Sequence, residues 1–213
     1  MSGRQVAAQA GKRELNKQDK LRRIADAARK LFIANGYDEA STRQIAVKAG
    51  VALGTLFLYA ANKRDLLFLV VNDELEDVAA KATVAVRTDV TLIQNLITAL
   101  RPLYEFFGKQ PGLSRLTLRE MMFYESGLQA ARFIQIRQKM MELCREMVRI
   151  AQRRNEIRNG SRYRRAGEVL YAIFQIELRK WLAEASRPNV ENGLRDLEEA
   201  FQIVIAGLSK RDA

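Results

Sequence analysis

The residues of this chain best placed to do chemistry are cations and hydroxyls near its N-terminus. Thr42, Arg43 and Gln44 follow Ser41 directly; Leu53, Thr55, Leu58 and Tyr59 come one short turn later, and Lys63 closes the group. Guanidinium, ammonium and hydroxyl groups suit the binding of phosphate oxygens, and they lack the machinery for bond-making. The chain has no histidine, which excludes Ser-His-Asp and Cys-His nucleophile pairs and His-ligated metals. Cys144 is the single cysteine, so an internal disulfide and a thiolate cluster are excluded and a reducing compartment is implied. It falls on an apolar stripe, where a thiol is inert. The run Asp73-Glu74-Glu76-Asp77 has neither histidine nor a glycine-bounded loop beside it and reads as a solvated helix face. No enzyme activity, cofactor or metal is expected.

Charge locates the partner. The 213 residues carry 36 Lys and Arg against 25 Asp and Glu, a net of +11. Residues 1–65 hold 13 of those cations and 6 of the anions, a net of +7. The remaining +4 is spread over the rest of the chain. Such a footprint favours a phosphate backbone or anionic headgroups. The longest apolar run, Leu66 to Val71, is too short to cross a membrane. No signal-peptide core precedes Leu15. A soluble cytoplasmic protein with no membrane partner is expected.

The elements that must hold these residues read as helices almost throughout. Prolines are three, and glycines cluster between periodic segments. The stretch to Lys20 is polar, basic and aperiodic, and predicts a flexible arm. Leu21, Ile24, Ala25, Ala28, Leu31 and Phe32 then form one apolar stripe, with Asn16 as its N-cap and Gly36 as its C-cap. Ser41 and Gln44 form a capping box, Ile45, Ala46 and Ala49 face inward, and Gly50 ends the helix. A second short helix follows from about Ala52 to Tyr59. Two short helices across a Gly-containing turn are the helix-turn-helix arrangement, whose second helix enters a major groove. A generic αα corner has the same spacing.

Gly36-Tyr37, Ser41 to Ala46, Ala49-Gly50-Val51, Gly54 to Tyr59 and Lys63 to Leu67 together resemble the TetR (tetracycline-repressor-like) family of bacterial transcriptional regulators. The likeness spans about Asp19 to Leu67. It implies a DNA-binding domain over 1–65 and a ligand-binding and dimerisation domain over 66–213, an all-α fold of about nine helices. Departures stand beside it. Ala52 replaces the usual capping Ser or Thr, Leu53 a polar residue, Phe57 a tyrosine and Ala60 an aromatic. Tyr59 and Lys63 keep the expected types, and the resemblance makes them phosphate contacts. Helix 3 has no long polar side chain, so Arg43 or Gln44 is expected to read base edges, with Thr55, Leu53 and Leu58 against thymine methyls and Thr42 on the backbone. The basic arm offers a minor-groove contact.

Six further helices are expected: Lys63 to about Val86, Thr91 to Phe107, Pro111 to Phe123, Leu128 to Arg154, Arg162 to Ser186 and Val190 to Ser209. The last two are apolar over more than one face. Phe174, Leu178 and Trp181, with Leu197, Phe201, Val204 and Leu208, are expected at a homodimer interface, in agreement with the family. The family's effector pocket lies among the middle helices. There Tyr104, Phe107, Met121, Met122, Tyr124, Phe133 and Met140 point to a hydrophobic small-molecule effector. The reading is a homodimeric repressor on a palindromic operator, released by that ligand. The alternative is an architectural DNA-binding protein on the same fold with no effector.

Overall fold

The computed structural model describes residues 3–160, 165–184 and 188–208. Among them are nine α-helices: α1 (Gly3–Asn35), α2 (Thr42–Ala49), α3 (Leu53–Phe57), α4 (Lys63–Val84), α5 (Leu92–Lys109), α6 (Pro111–Glu120), α7 (Ala130–Arg153), α8 (Ala166–Glu184) and α9 (Val190–Leu208). A 3-10 turn, Met121–Phe123, extends α6. The helix ends expected at Arg162, Ser186 and Ser209 lie outside the described residues.

The N-terminal stretch differs from the expected arm. α1 runs unbroken from Gly3, through both Gly11 and the expected cap Asn16. Ala7, Ala8, Gln9, Ala10, Arg13, Glu14 and Leu15 are strong helix formers, and their summed propensity outweighs one glycine and one asparagine.

The chain forms two compact units. Unit 1 comprises the residues up to Asp73 together with Glu120–Ala131; unit 2 comprises Glu74–Arg119 and the chain from Arg132. α4 contributes residues to both, and the charge division after Asp65 falls inside it.

In unit 1 the α1 stripe buries Ile24, Ala27, Ala28 and Phe32, and α2 and α3 add Ile45, Ala46, Ala49 and Leu56. Short helices of eight and five residues are marginal alone, so this shared core holds them. The Ala60 side chain is wholly buried, in space an aromatic ring would overfill.

In unit 2, α5 starts at a second capping box, Thr91 with Gln94. It buries Leu92, Leu96, Ala99, Leu100, Leu103, Tyr104 and Phe107 at helical spacing. α8 and α9 pack on it through Leu170, Phe174, Leu178, Trp181 and Leu182 and through Leu194, Leu197, Phe201 and Ile205. Tyr104 lies between rings, 4.8 Å from Trp181 and 6.3 Å from Phe174.

Candidate nucleic-acid interface

The capping box sets where α2 begins and hence where Arg43 points. The Ser41 hydroxyl accepts from the Gln44 N–H at 3.2 Å, and Gln44 Oε1 accepts from the Ser41 N–H at 2.8 Å. Oε1 also accepts from the Ser41 hydroxyl at 3.0 Å. Gln44 is thereby committed to its own helix end, unlike Arg43, the other residue expected to read base edges. Arg43 is exposed and makes no hydrogen bond or ion pair among the described residues. One turn along the same face stands Val47, 76% exposed. Gly50 ends α2 at φ 64°.

α3 begins at Ala52 with no side-chain cap, as the sequence implies. It presents Gly54 and Phe57 to solvent, with Leu58 just past its end 77% exposed and Leu53 and Thr55 half-buried. Leaving Val47 and Leu58 uncovered forfeits burial worth about 1.5–3 kcal/mol each, so the fold alone gives no reason for them.

Two expected phosphate contacts are anchored by the protein itself. Lys63 Nζ donates to the Asp38 carbonyl at 3.0 Å and stands 4.6 Å from the Tyr37 ring centre. Its remaining N–H groups are available to an anion. The Tyr59 hydroxyl lies 3.5 Å from the Lys17 carbonyl, against α1. Thr42 is half-buried at the start of α2. Thr42, Arg43, Gln44, Leu53, Thr55, Leu58, Tyr59 and Lys63 thus all belong to unit 1.

A cluster that sequence reasoning missed sits where α4 begins. Asp65 is fully buried and accepts from four donors: the N–H of Ala61 at 2.8 Å, of Leu128 at 2.8 Å and of Gln129 at 2.9 Å, and the Tyr124 hydroxyl. Burial and the Asp65 carboxylate both push the Tyr124 phenol up, so it stays a donor. Tyr124 stacks on Phe68 with centroids 3.8 Å apart. Arg64 donates to the Glu120 carbonyl at 3.0 Å and pairs with the Glu120 carboxylate at 3.3 Å. Segment 120–131 is thereby tied to the end of the helix-turn-helix, although in sequence it joins α6 to α7. Gly127 makes the turn at φ 134°, and a Cβ there would lie 2.6 Å from Asp65 Oδ1.

The expected effector residues are divided between the two units. Tyr104, Phe107, Phe133 and Met140 are buried in unit 2, whereas Met121, Met122 and Tyr124 belong to unit 1, with Met122 54% exposed. A groove of about 370 Å³ between α8 and α9 is lined by Glu177, Trp181, Glu184, Asp196, Glu199 and Ile203 among others, and by none of those seven. Of the residues expected at a homodimer interface, Phe174, Leu178, Leu197 and Phe201 are wholly buried within the protomer and Trp181 is 6% exposed. Val204 and Leu208 are half-buried. The apolar side chains left open are Val169 and Ile176 of α8 and Ile203 of α9. Cys144 is fully buried, and burial pushes its thiol up to about 12, out of reach of thiolate chemistry. No cluster of potential metal ligands occurs among the described residues, and no helix among them is long and apolar enough to cross a membrane.

Residues 24–70, which carry all of this helix-turn-helix, match the family model described as bacterial regulatory proteins, tetR family. The helix-turn-helix of this chain is of the TetR type. Among its TetR-type relatives is the fatty acid metabolism regulator protein of Bacillus subtilis, 24% identical over 173 residues that cover 78% of this chain and 85% of that one. The transcriptional repressor KstR of Mycolicibacterium smegmatis is 28% identical over 109 residues, 51% of this chain and 53% of that one. The fold is shared with FadR of Thermus thermophilus in complex with lauroyl-CoA, at TM-score 0.67, 19% identity, and coverage of 91% of this chain and 97% of that one. FadR of Bacillus subtilis in complex with stearoyl-CoA gives TM-score 0.66 at 19% identity, covering 87% and 98%. With a TetR-type helix-turn-helix and, among its described residues, an all-α fold, the chain is a DNA-binding transcriptional regulator, as its sequence implies.

Proposed function

We propose that this TetR-family regulator is a cytoplasmic repressor that binds a palindromic operator as a homodimer and leaves it when a fatty acyl ligand occupies unit 2. One observation carries the DNA reading: a family-matched helix-turn-helix whose capping box holds Arg43 exposed and unpartnered beside the open apolar side chains Val47 and Leu58. Arg43 reads a base edge, bidentately where guanine stands. Leu53, Thr55 and Leu58 meet thymine methyls. Thr42, Tyr59 and Lys63 take phosphates, and α1's basic start adds charge. In this reading residues 1–65 form the DNA-binding domain and residues 66–213 the effector and dimerisation domain.

Dimerisation uses the face of α8 and α9 that the chain itself leaves open: Val169, Ile176 and Ile203, with Val204 and Leu208 at its edge. Two-fold symmetry then sets two recognition helices one DNA turn apart. The acyl-CoA complexes of the two FadR relatives support an acyl thioester as effector class, and the buried Phe107, Phe133 and Met140 suit an acyl chain. Release requires that the ligand prefer a conformation with wrongly spaced recognition helices. α4, starting at Lys63, is the lever. Selection of bound sequences from a random duplex library tests this reading: it should return an inverted repeat, and recovery of unrelated sequences would refute it.

A further inference from the structure

Leu58, Tyr59 and Lys63 stand in or beside the connection 58–62, the corner between α3 and α4. The corner's own backbone secures its first part. The N–H groups of Tyr59 and Ala60 both donate to the Leu56 carbonyl, at 2.9 and 3.2 Å. The carbonyls that follow have no such partner, because the last carbonyls of a helix lie beyond its own hydrogen-bond ladder. On the far side α4 begins, where Asn62 Oδ1 accepts from the Asp65 N–H at 2.8 Å.

The rest of the corner is held by residues 120–131, which belong to the same compact unit. Gln129 Nε2 donates to the Tyr59 carbonyl at 3.1 Å. Asp65 Oδ2 accepts from both the Ala61 and the Leu128 N–H, at 2.8 Å each, and Oδ1 accepts from the Gln129 N–H at 2.9 Å. Asn72, two turns further along α4, donates through Nδ2 to the Gln129 carbonyl at 3.2 Å. Gln129 is therefore fixed by its own N–H and carbonyl before its side chain reaches Tyr59. Tyr59 and Gln129 are both half-buried. Their polar groups are not cut off from water, so the need to satisfy buried atoms does not account for the bond. What the bond does fix is the direction of the chain between Tyr59 and Lys63.

We propose that Gln129 is a positioning residue for DNA binding: through the Tyr59 carbonyl it sets the α3–α4 corner so that Tyr59 and Lys63 meet the phosphate backbone already in place. The inference rests on the phosphate contacts proposed above. Order established before binding raises affinity without adding a contact. Arg43 is placed by the Ser41–Gln44 cap instead. Loss of the Gln129 amide should therefore act on phosphate binding and spare base preference.

The test titrates the full-length protein into two labelled duplexes, the selected inverted repeat and one of mixed sequence, and reads anisotropy. Gln129→Met keeps the length of the side chain and removes its donor. It should weaken both duplexes by the same factor, about 3- to 10-fold. Tyr59→Phe should weaken the wild type yet change nothing in the Gln129→Met protein, since a displaced hydroxyl has no contact left to lose. A residue that only adds stability would leave the Tyr59→Phe penalty equal in the two backgrounds. Gln129→Ala repeats the measurement if Gln129→Met does not fold, and failure of both to fold overturns the proposal, because Gln129 is then structural. So does unchanged binding by a folded variant, an undiminished Tyr59→Phe penalty, or an altered preference between the two duplexes. If Tyr59→Phe and Lys63→Ala both bind as the wild type does, the phosphate contacts fall and Gln129 has nothing to position. If those two weaken binding and Gln129→Met does not, the positioning alone falls.

Discussion

Arg43 and Lys63 are both cations of the DNA-binding unit, yet they are held differently, and their mutants should differ accordingly. Arg43 is exposed and has no partner among the described residues, whereas Lys63 is tethered to the Asp38 carbonyl and over the Tyr37 ring. Arg43→Ala should relax sequence preference by about 1–3 kcal/mol at one base position, read by anisotropy with single-base operator variants. Lys63→Ala should weaken all duplexes alike and lower the salt slope by about one. At Gly127, φ of 134° and the nearness of Asp65 leave no room for a side chain. Gly127→Ala should cost about 1–3 kcal/mol or more, measured by urea unfolding. The exposure of Arg43 is legible because it depends on a local cap, Ser41 with Gln44. The Asp65 cluster was not, since its donors Tyr124, Leu128 and Gln129 lie 59 to 64 residues away and no local pattern announces them.

Among the elements, α8 separates stability from assembly. Its Leu178 is fully buried in the protomer and its Ile176 is 58% exposed. Leu178→Ala should lower unfolding free energy by roughly 2–5 kcal/mol and leave the dimer intact. Ile176→Glu should leave the protomer folded and shift sedimentation toward monomer. The sequence correctly marked α8 as apolar on more than one face. It could not say which residues point inward, because that depends on where α5 and α9 lie. The cap of α2 is recognisable from Ser41 with Gln44, since capping is local. α1 misled for the opposite reason: charge and aperiodicity suggested an arm, while backbone propensity alone carries the helix to Gly3.

For the whole molecule, the net +11 becomes a mechanism only through its placement. The +7 of the first 65 residues sits on the unit that carries the helix-turn-helix, so affinity for any duplex should fall steeply with salt. In the function proposed here, specificity comes from few groups: one arginine, Thr55 and several apolar side chains. The claim that joins these scales is sequence-specific operator binding by a dimer. Its most direct measurement is a fluorescence-anisotropy titration, at physiological salt, of the selected inverted repeat against a scrambled duplex of equal length and composition. The account predicts saturation at two chains per half-site pair and a preference on the order of 10³-fold for the repeat. Equal affinity for the two duplexes, or saturation by a single chain, would contradict it.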